Sequence, residues 1–271
     1  MDNRAIGIFD SGLGGLTTVK EMQRLLPQER IIYFGDTGRV PYGSRSRETL
    51  RKYAMQDVAF LKQFDCKLII AACGTISSVF TPEMQQSIGV PFTGVVQPTA
   101  QAACAVTNGR IGVIGTSATI HSGAYGRAIR AINPNVRTFG NACPLFVPLV
   151  ENGFVQPDNE ITTRVAEIYL KPIQEAQVDT LILGCTHYPL LTPIIDRLLN
   201  SQVTLINAGE QAARWAQNYL MSNDLLGDGD GACEYFISDT PELFAETAGI
   251  FLGEPLKDIT QISIEELQAA I

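Results

Sequence analysis

Two cysteines occupy similar positions in the two halves of this 271-residue chain. Cys73 and Cys185 each directly follow a short apolar run, and a threonine comes within two residues of each. A thiol has an ordinary pKa of about 8.5, which nearby cations or helix N-termini lower, so it can exchange protons near neutral pH. Either cysteine alone is most simply a buried structural residue. If the halves face each other, the pair could take a proton from one face of a carbon atom and return one to the opposite face, which inverts that carbon.

The first apolar run ends in Asp10 and Ser11, which precede the glycine-rich segment Gly12-Leu13-Gly14-Gly15. Small residues between a strand and a helix let backbone N–H groups reach a bound carboxylate. Asp10 could orient or deprotonate a thiol at this position. The structural alternative for Asp10 is that it only caps the following helix.

Other polar residues stand after strands or interrupt apolar runs. Tyr42 and Gly43, in a turn after Pro41, could present backbone amides to a ligand, or the turn could be an ordinary surface turn. His187 lies two residues after Cys185 and could assist that thiol, or be purely structural. Glu151 could act as a supporting base, bind an ammonium group, or be a surface carboxylate. Three hydroxyl residues in the second half could hydrogen-bond the substrate or have only a structural role. They are Thr116, Ser117 and Thr119.

Short runs rich in Ile and Val alternate with amphipathic stretches, which predicts a doubly wound α/β fold with parallel strands. The predicted buried strands are Ala5–Asp10, Arg30–Gly35, Lys67–Ala72, Phe92–Val96, Arg110–Gly115, Val136–Gly140, Thr180–Gly184 and Val203–Asn207. The predicted helices include Leu16–Leu26, Ser46–Phe64 and Asp158–Ala176. Ligands bind beyond the carboxyl ends of strands in such folds, and both cysteines lie at such ends.

Two segments of the first half are similar in sequence to segments of the second half. Ile6–Gly12 is similar to Ile111–Ser117, and Leu68–Thr75 is similar to Leu181–His187. These similarities predict two pseudo-symmetric doubly wound parallel-sheet domains with the active site between them. The predicted first domain comprises residues 1–96 plus 207–271, and the second comprises residues 97–206.

Composition restricts the class of protein. Charged residues make up only 18% of the chain and hydrophobic residues 45%, so a sizeable core can form. The net charge is -8 and the pI about 4.8, which argues against direct nucleic-acid binding. No apolar run approaches the roughly 20 residues of a membrane span, so we expect no membrane association and a cytoplasmic location. The six cysteines show no metal-ligand spacing, and we expect free thiols, of which Cys66, Cys104, Cys143 and Cys233 are structural.

Five motifs follow one another along the chain. They are Asp10-Ser11-Gly12-x-Gly14-Gly15, Pro41-Tyr42-Gly43, Ala72-Cys73-x-Thr75, Val147-Pro148-Leu149-Val150-Glu151 and Gly184-Cys185-Thr186-His187-Tyr188-Pro189. In their order and spacing the chain resembles the bacterial glutamate racemases of the aspartate/glutamate racemase superfamily, and the resemblance spans residues 6 to about 210.

The resemblance implies a two-base mechanism that is independent of pyridoxal phosphate and needs no cofactor or metal. Cys73 would act on the D-enantiomer with help from Asp10, and Cys185 on the L-enantiomer with help from Glu151 and His187. The resemblance also implies glutamate as substrate, a homodimer, and a supply of D-glutamate for peptidoglycan synthesis. The substrate contacts it implies are Asp10, Ser11, Tyr42, Gly43, Gly74, Thr75, Thr186 and His187.

One position departs from the family pattern, because Gly74 stands where the family usually has asparagine. An asparagine amide could hydrogen-bond the substrate, and losing such a bond costs about 1–3 kcal/mol if a buried partner stays unpaired. The Gly74 N–H, a water molecule or Ser77 could replace it. We therefore predict that Gly74 tunes affinity or specificity, and aspartate or another amino acid remains an alternative substrate.

Two further alternatives belong to other classes of protein. Gly12-x-Gly14 between a strand and a helix, with Asp36 ending a later strand, could bind a dinucleotide. Thr17 stands in place of the third glycine of that motif, and this hypothesis leaves the paired cysteines unexplained. A non-catalytic regulatory protein on the same fold, for example one that binds gyrase, is the other alternative. Retention of both cysteines argues against it.

Overall fold

Two all-parallel sheets form the centre of the molecule. The protein is seen in a computed structural model that describes residues 1–269. The strands are β1 Ile6–Asp10, β2 Ile31–Gly35, β3 Leu68–Ala71, β4 Phe92–Gly94, β5 Arg110–Gly115, β6 Arg137–Ala142, β7 Thr180–Leu183, β8 Thr204–Asn207, β9 Cys233–Ile237 and β10 Ile259–Gln261. The helices are α1 Leu16–Leu25, α2 Arg47–Lys62, α3 Gly74–Ser77, α4 Pro82–Ile88, α5 Val96–Val106, α6 Ser117–Ser122, α7 Ala124–Ile132, α8 Phe146–Glu151, α9 Glu160–Glu175, α10 Thr192–Leu198, α11 Ala208–Ser222, α12 Pro241–Leu252 and α13 Ile264–Ala269. Short 3₁₀ turns cover Thr37–Arg39, Tyr42–Ser44 and Tyr188–Leu191.

The two sheets repeat one strand order. The larger sheet runs β10-β9-β2-β1-β3-β4 and the smaller runs β6-β5-β7-β8. The order β2-β1-β3-β4 therefore matches β6-β5-β7-β8 strand for strand. Since β3 corresponds to β7, the two cysteines follow corresponding strands. The predicted α/β fold with pseudo-symmetric parallel sheets is confirmed.

Burial on both faces explains the central strands. Every residue of β1, β2, β3 and β7 is buried, and each strand is a nearly continuous apolar run. The smaller sheet's outer strands β6 and β8 are only partly buried, so describing them as buried strands was wrong. The helices predicted at Leu16–Leu26, Ser46–Phe64 and Asp158–Ala176 correspond to α1, α2 and α9, with ends shifted by one or two residues.

The predicted strand Phe92–Val96 is too long. The strand ends at Gly94, Val95 already has helical backbone angles, and α5 begins at Val96. The Thr99 hydroxyl donates a hydrogen bond to the Val95 carbonyl at 2.6 Å, which favours the helical turn. Val95 and Val96 both favour a strand by local preference. The start of α5 at these residues outweighs that preference.

Two strands near the end of the chain were not predicted from the sequence. β9 pairs with β2, and β10 pairs with β9, so both extend the edge of the larger sheet. The predicted domain boundaries stay a prediction, and residues 270 and 271 of the predicted first domain lie outside the described residues. Within residues 1–269, no helix is both long and apolar enough to cross a membrane.

A buried ion pair stabilises the start of the larger sheet. The Lys67 ammonium group lies 2.5 Å from the Glu29 carboxylate, and both side chains are almost fully buried. Lys67 also donates to the carbonyl of Leu225 at 2.8 Å, and Glu29 accepts from the Gly227 N–H at 2.8 Å. The pair thus joins β2 and β3 to the segment that leads into β9.

We predict that Lys67→Met lowers the free energy of unfolding by about 3–5 kcal/mol, because it leaves the Glu29 charge buried and unpaired. The matched control is Arg30→Met, since Arg30 and Glu234 form an ion pair that is roughly half exposed. That change should cost less than about 1 kcal/mol. Urea unfolding measures both. Equal losses in the two variants would contradict the predicted difference.

Candidate active site

A cavity of about 720 Å³ opens between the carboxyl ends of the two sheets. Its volume falls within the usual range for small-molecule sites. Both halves of the chain contribute to its wall. The sequence-predicted residues that line it are Ser11, Tyr42, Gly43, Cys73, Gly74, Thr75, Thr116, Ser117, Thr119, Glu151, Cys185, Thr186 and His187.

Asp10 is absent from that wall and lies just beneath it. Its side chain is buried at the end of β1, where one carboxylate oxygen accepts a hydrogen bond from the Gly12 N–H at 3.1 Å. The other oxygen has no hydrogen-bond partner among the described residues. Asp10 does not cap α1, because the N-cap of that helix is Gly15. Burial raises the pKa of Asp10, which the His187 ring and the N–H groups of Gly12 and Gly15 oppose.

The Cys73 thiol lies at the N-terminus of the short helix α3. Its sulfur is 3.6 Å from the Ser11 hydroxyl, and the residue is 6% exposed although it lines the cavity. Burial raises the pKa of Cys73 to about 12, and the neighbouring Asp10 carboxylate adds to that rise. The Ile76 N–H and the Ser11 groups favour the thiolate and work in the opposite direction.

The Cys185 thiol is connected to a short chain of acid–base groups. Its sulfur is 3.9 Å from Nδ1 of His187, and Nε2 of His187 is 2.8 Å from the Glu151 carboxylate. Burial raises the pKa of Cys185, and negative charge on Cys73, Asp10 and Glu151 raises it further. The ring of Phe251 packs edge-on against His187 and keeps the imidazole in place.

Raised thiol pKa values increase the basicity of the thiolates. For Cys73 the rise to about 12 means that the thiolate binds a proton more strongly than an exposed thiolate does. A stronger base is better matched to a weakly acidic C–H bond. The acid–base groups nearest the thiols are Asp10 for Cys73, and His187 with Glu151 for Cys185.

Three threonine hydroxyls connect the two halves beside the thiols. Thr75 in α3 lies 2.9 Å from Thr116, and Thr116 lies 2.9 Å from Thr119, oxygen to oxygen. Thr116 also accepts a hydrogen bond from the Thr119 N–H and caps α6. Hydroxyls can rotate to donate, so this cluster can bind an anionic ligand group.

A buried polar network holds the Tyr42–Gly43 turn against the cavity. The Arg39 guanidinium donates to Asp36 at 2.6 Å and to Asp57 at 2.9 Å, and the Tyr42 hydroxyl also donates to Asp36. Burial raises the pKa of Asp57 well above its ordinary value, and the nearby Asp36 charge contributes to the rise. Asp36 is fully buried and does not line the cavity, so it cannot bind a ribose as the dinucleotide hypothesis requires.

One wall of the cavity was missed from the sequence. Asp239 and Thr240 line it after β9, and Leu243, Phe244 and Thr247 line it from α12. Asp239 comes soon after β9, at the end of a strand like the other polar residues of the cavity wall. The sequence Cys-Glu-Tyr-Phe-Ile of β9 did not predict a strand, so the sequence did not identify Asp239.

Comparison with known proteins gives the class to which this fold and site belong. A family model described as Asp/Glu/Hydantoin racemase matches residues 7–216. A glutamate racemase from Geobacter metallireducens is 48% identical over 265 residues, which cover 97% of each chain. The crystal structure of glutamate racemase from Francisella tularensis in complex with D-glutamate superposes with a TM-score of 0.91 at 38% identity, over 99% of this chain and 100% of that chain. Glutamate racemase isoform RacE1 from Bacillus anthracis superposes with a TM-score of 0.92 at 36% identity, over 97% and 99%.

The chain therefore belongs to the Asp/Glu/Hydantoin racemase family. Within that family it belongs with the glutamate racemases, because it is 48% identical to one of them and 38% identical to another over nearly its whole length. The resemblance identified from the sequence motifs is confirmed. The roles of individual residues remain predictions that the site geometry supports.

We predict that Asp10→Asn accelerates alkylation of Cys73 by iodoacetamide while it slows racemisation. Removing the Asp10 charge lowers the pKa of Cys73, so more thiolate is present at each pH between about 7 and 10. Racemisation falls because the group that takes the thiol proton is lost.

Peptide-resolved mass spectrometry measures the alkylation rates across this pH range. Cys66 and Cys143 serve as internal controls, because the pKa of each is raised chiefly by burial and Asp10 contributes to neither. Cys73 alkylation that stays unchanged or slows in Asp10→Asn would show that Asp10 does not control this thiol.

Proposed function

We propose that this chain interconverts L- and D-glutamate by a two-base mechanism in which Cys73 and Cys185 act on opposite faces of the α-carbon. The observation that carries the proposal is the position of the two thiols. They follow corresponding strands in the two halves and line one cavity. We propose glutamate as the substrate because the relatives described above are glutamate racemases.

In the direction from D- to L-glutamate, the Cys73 thiolate takes the α-proton from one face. The Cys185 thiol then gives its proton to the opposite face of the planar carbanion. Cys73 is left as a thiol and Cys185 as a thiolate, which is the state that acts on L-glutamate. Proton transfer through Asp10 on one side, and through His187 and Glu151 on the other, restores the starting state.

The carbanion requires hydrogen-bond donors around the α-carboxylate, because its negative charge spreads onto that group. The hydroxyl cluster of Thr75, Thr116 and Thr119 and the Thr186 hydroxyl are suitable donors at the cavity wall. Their mutual hydrogen bonds hold them in place before substrate arrives, which limits reorganisation during the reaction. The Ser11 hydroxyl and the backbone N–H groups of the Gly43 loop can donate to the side-chain carboxylate of glutamate.

Several finer statements remain predictions from the family resemblance. They are the supply of D-glutamate for peptidoglycan synthesis, the homodimer and the cytoplasmic location. Aspartate as the preferred substrate remains the alternative within the family. A purely regulatory role remains the alternative outside enzymes.

The deciding experiment incubates the purified protein with L-glutamate, and separately with L-aspartate, in D2O. We expect inversion of glutamate, with deuterium at the α-carbon of the product, because the thiol that delivers the proton exchanges with solvent. Chiral chromatography and mass spectrometry measure both. Inversion of aspartate alone would assign aspartate as the substrate in place of glutamate. If a folded protein exchanged the α-proton of neither amino acid, the proposal would be contradicted.

Single replacements test the two bases. We expect Cys73→Ala and Cys185→Ala each to lower racemisation by at least about 10²–10⁴-fold, since inversion needs both groups. Residual α-proton exchange should persist without inversion, with D-glutamate in Cys185→Ala and with L-glutamate in Cys73→Ala. The matched control is Cys143→Ala, which removes a buried thiol that does not line the cavity. Racemisation by either single variant at the rate of this control would overturn the two-base assignment.

A further inference from the structure

Two loops that line the cavity come from opposite ends of the first half of the fold. Tyr42 and Gly43, here called the Tyr42 wall, follow β2, and Asp239 and Thr240, here called the Asp239 wall, follow β9. Since β2 and β9 are parallel neighbours in the larger sheet, both loops leave the sheet at the same edge. Loops lack the hydrogen-bond ladder that fixes strands, so other contacts must set their relative position.

Ser238 joins the Asp239 wall to the segment that leads into the Tyr42 wall. This residue directly precedes Asp239, is only 6% exposed, and does not line the cavity. Its N–H donates to the Gly35 carbonyl at 3.2 Å, and its hydroxyl oxygen accepts from the Gly38 N–H at 2.9 Å. The same hydroxyl donates to Oδ1 of Asp36 at 2.7 Å. Ser238 therefore makes three hydrogen bonds to residues 35–38.

The Asp36 carboxylate continues this connection to the Tyr42 wall. Asp36 is fully buried, and its second oxygen, Oδ2, accepts from the Tyr42 hydroxyl and from Nε of Arg39. The Arg39 guanidinium lies over the Tyr53 ring, 4.1 Å from its centroid, and the same ring packs against that of Tyr42. One carboxylate thus contacts a residue of the Tyr42 wall through one oxygen and the residue beside the Asp239 wall through the other.

The Ser238 hydroxyl lies in a place that leaves its partners no obvious replacement. A Cβ atom on Gly38 would lie 2.7 Å from the Ser238 carbonyl oxygen, so the two backbones are in close contact. Loss of the hydroxyl removes the partner of the Gly38 N–H and the donor to Oδ1 of Asp36. A buried polar group without a partner is costly, which favours arrangements of these loops that differ from the native one.

We propose that Ser238 is a positioning residue that acts through Asp36 to hold the Tyr42 wall and the Asp239 wall in the arrangement that binds substrate. This inference rests on the proposed function, in which N–H groups of the Gly43 loop bind the side-chain carboxylate of glutamate. The hydrogen bonds of Ser238 go to residues 35–38 and not to either thiol. Its loss should therefore weaken binding more than it slows the chemical step.

The first test compares Ser238→Ala with Ser238→Thr, which keeps the hydroxyl. We expect KM for both enantiomers of glutamate to rise about 10-fold in Ser238→Ala, with a much smaller change in kcat, because only a fraction of the free protein has the binding arrangement. Ser238→Thr should restore KM to near the wild-type value.

The matched control for this test is Thr162→Val. It removes a buried hydroxyl of α9 that also donates at 2.7 Å, to the Phe154 carbonyl, and that does not line the cavity. We expect its KM to equal that of the wild-type protein. A wild-type KM in Ser238→Ala, or a fall in kcat as large as the rise in KM, would overturn the positioning role.

A double variant tests whether the effect passes through Asp36. Tyr42→Phe removes the hydrogen bond to the other oxygen of that carboxylate. If both hydroxyls act through Asp36, the rise in KM in the double variant with Ser238→Ala should be smaller than the product of the two single rises. A rise equal to that product would show that the two walls are held independently, contrary to this inference.

Hydrogen exchange gives a measurement that does not depend on racemase activity. In substrate-free Ser238→Ala, the amides of residues 36–43 and of residues 238–247 should both exchange several-fold faster than in the wild-type protein, and in Ser238→Thr neither should. Faster exchange confined to residues 238–247 would show that Ser238 acts only on its own loop, which overturns the proposed connection.

The outcomes separate this inference from the proposed function. A wild-type protein that racemises glutamate, with unchanged KM and unchanged exchange in Ser238→Ala, overturns the inference alone. A folded wild-type protein without turnover overturns the proposed function and the positioning role with it. If circular dichroism shows that Ser238→Ala is unfolded, Ser238→Cys takes its place, because a thiol fills the same position but donates only weakly. A wild-type KM in that variant would likewise overturn the inference.

Discussion

Removal of two thiols from water is the constraint on which the rest of the site depends. Cys73 and Cys185 are each less than a tenth exposed, yet both line the cavity, and burial is the largest cause of their raised pKa values. Desolvation makes each thiolate a stronger base but also makes it harder to form. The proposed mechanism therefore needs a proton acceptor beside each thiol, and we propose Asp10 for Cys73 and His187 with Glu151 for Cys185.

The two acceptors differ although the halves share one strand order. Asp10 ends β1, whereas the corresponding strand β5 ends in Gly115, which has no side chain to offer. In the second half the acid–base group near the thiol is His187, two residues beyond Cys185, and it contacts Glu151 at the end of α8. The thiols thus follow corresponding strands, while the acceptors that we propose for them come from different elements. This difference allows the two directions of the reaction to respond differently to pH and to substitution.

The sequence predicted the structure well where local composition and burial agree, and poorly where packing between distant segments determines the structure. Continuous apolar runs predicted β1, β2, β3, β5 and β7, and the residues that follow these strands predicted most of the cavity wall. β9 is only partly buried and β10 has only three residues, so their patterns were weak and Asp239 was missed with them. The Arg39–Asp57 contact joins a 3₁₀ turn to the middle of α2, and the Gly74–Gly184 contact joins the two halves. Neither has a periodic signal, because each is a consequence of how completed elements pack.

The charge of the cavity wall follows from the same constraint. Among the described residues that line it, none is lysine or arginine, and His187 is the only side chain that can carry a positive charge. A fixed cation beside a thiol would lower the thiol pKa and weaken the base that burial creates. It would also bind an anionic substrate as tightly before the reaction as during it, which gains affinity without rate. Neutral hydroxyls and backbone N–H groups also lower the pKa of Cys73, but burial outweighs them, so they can bind carboxylates and stabilise developing charge while the thiol stays a strong base. The glycines and threonines around the two cysteines are thus the donor set that a site with two desolvated thiol bases requires.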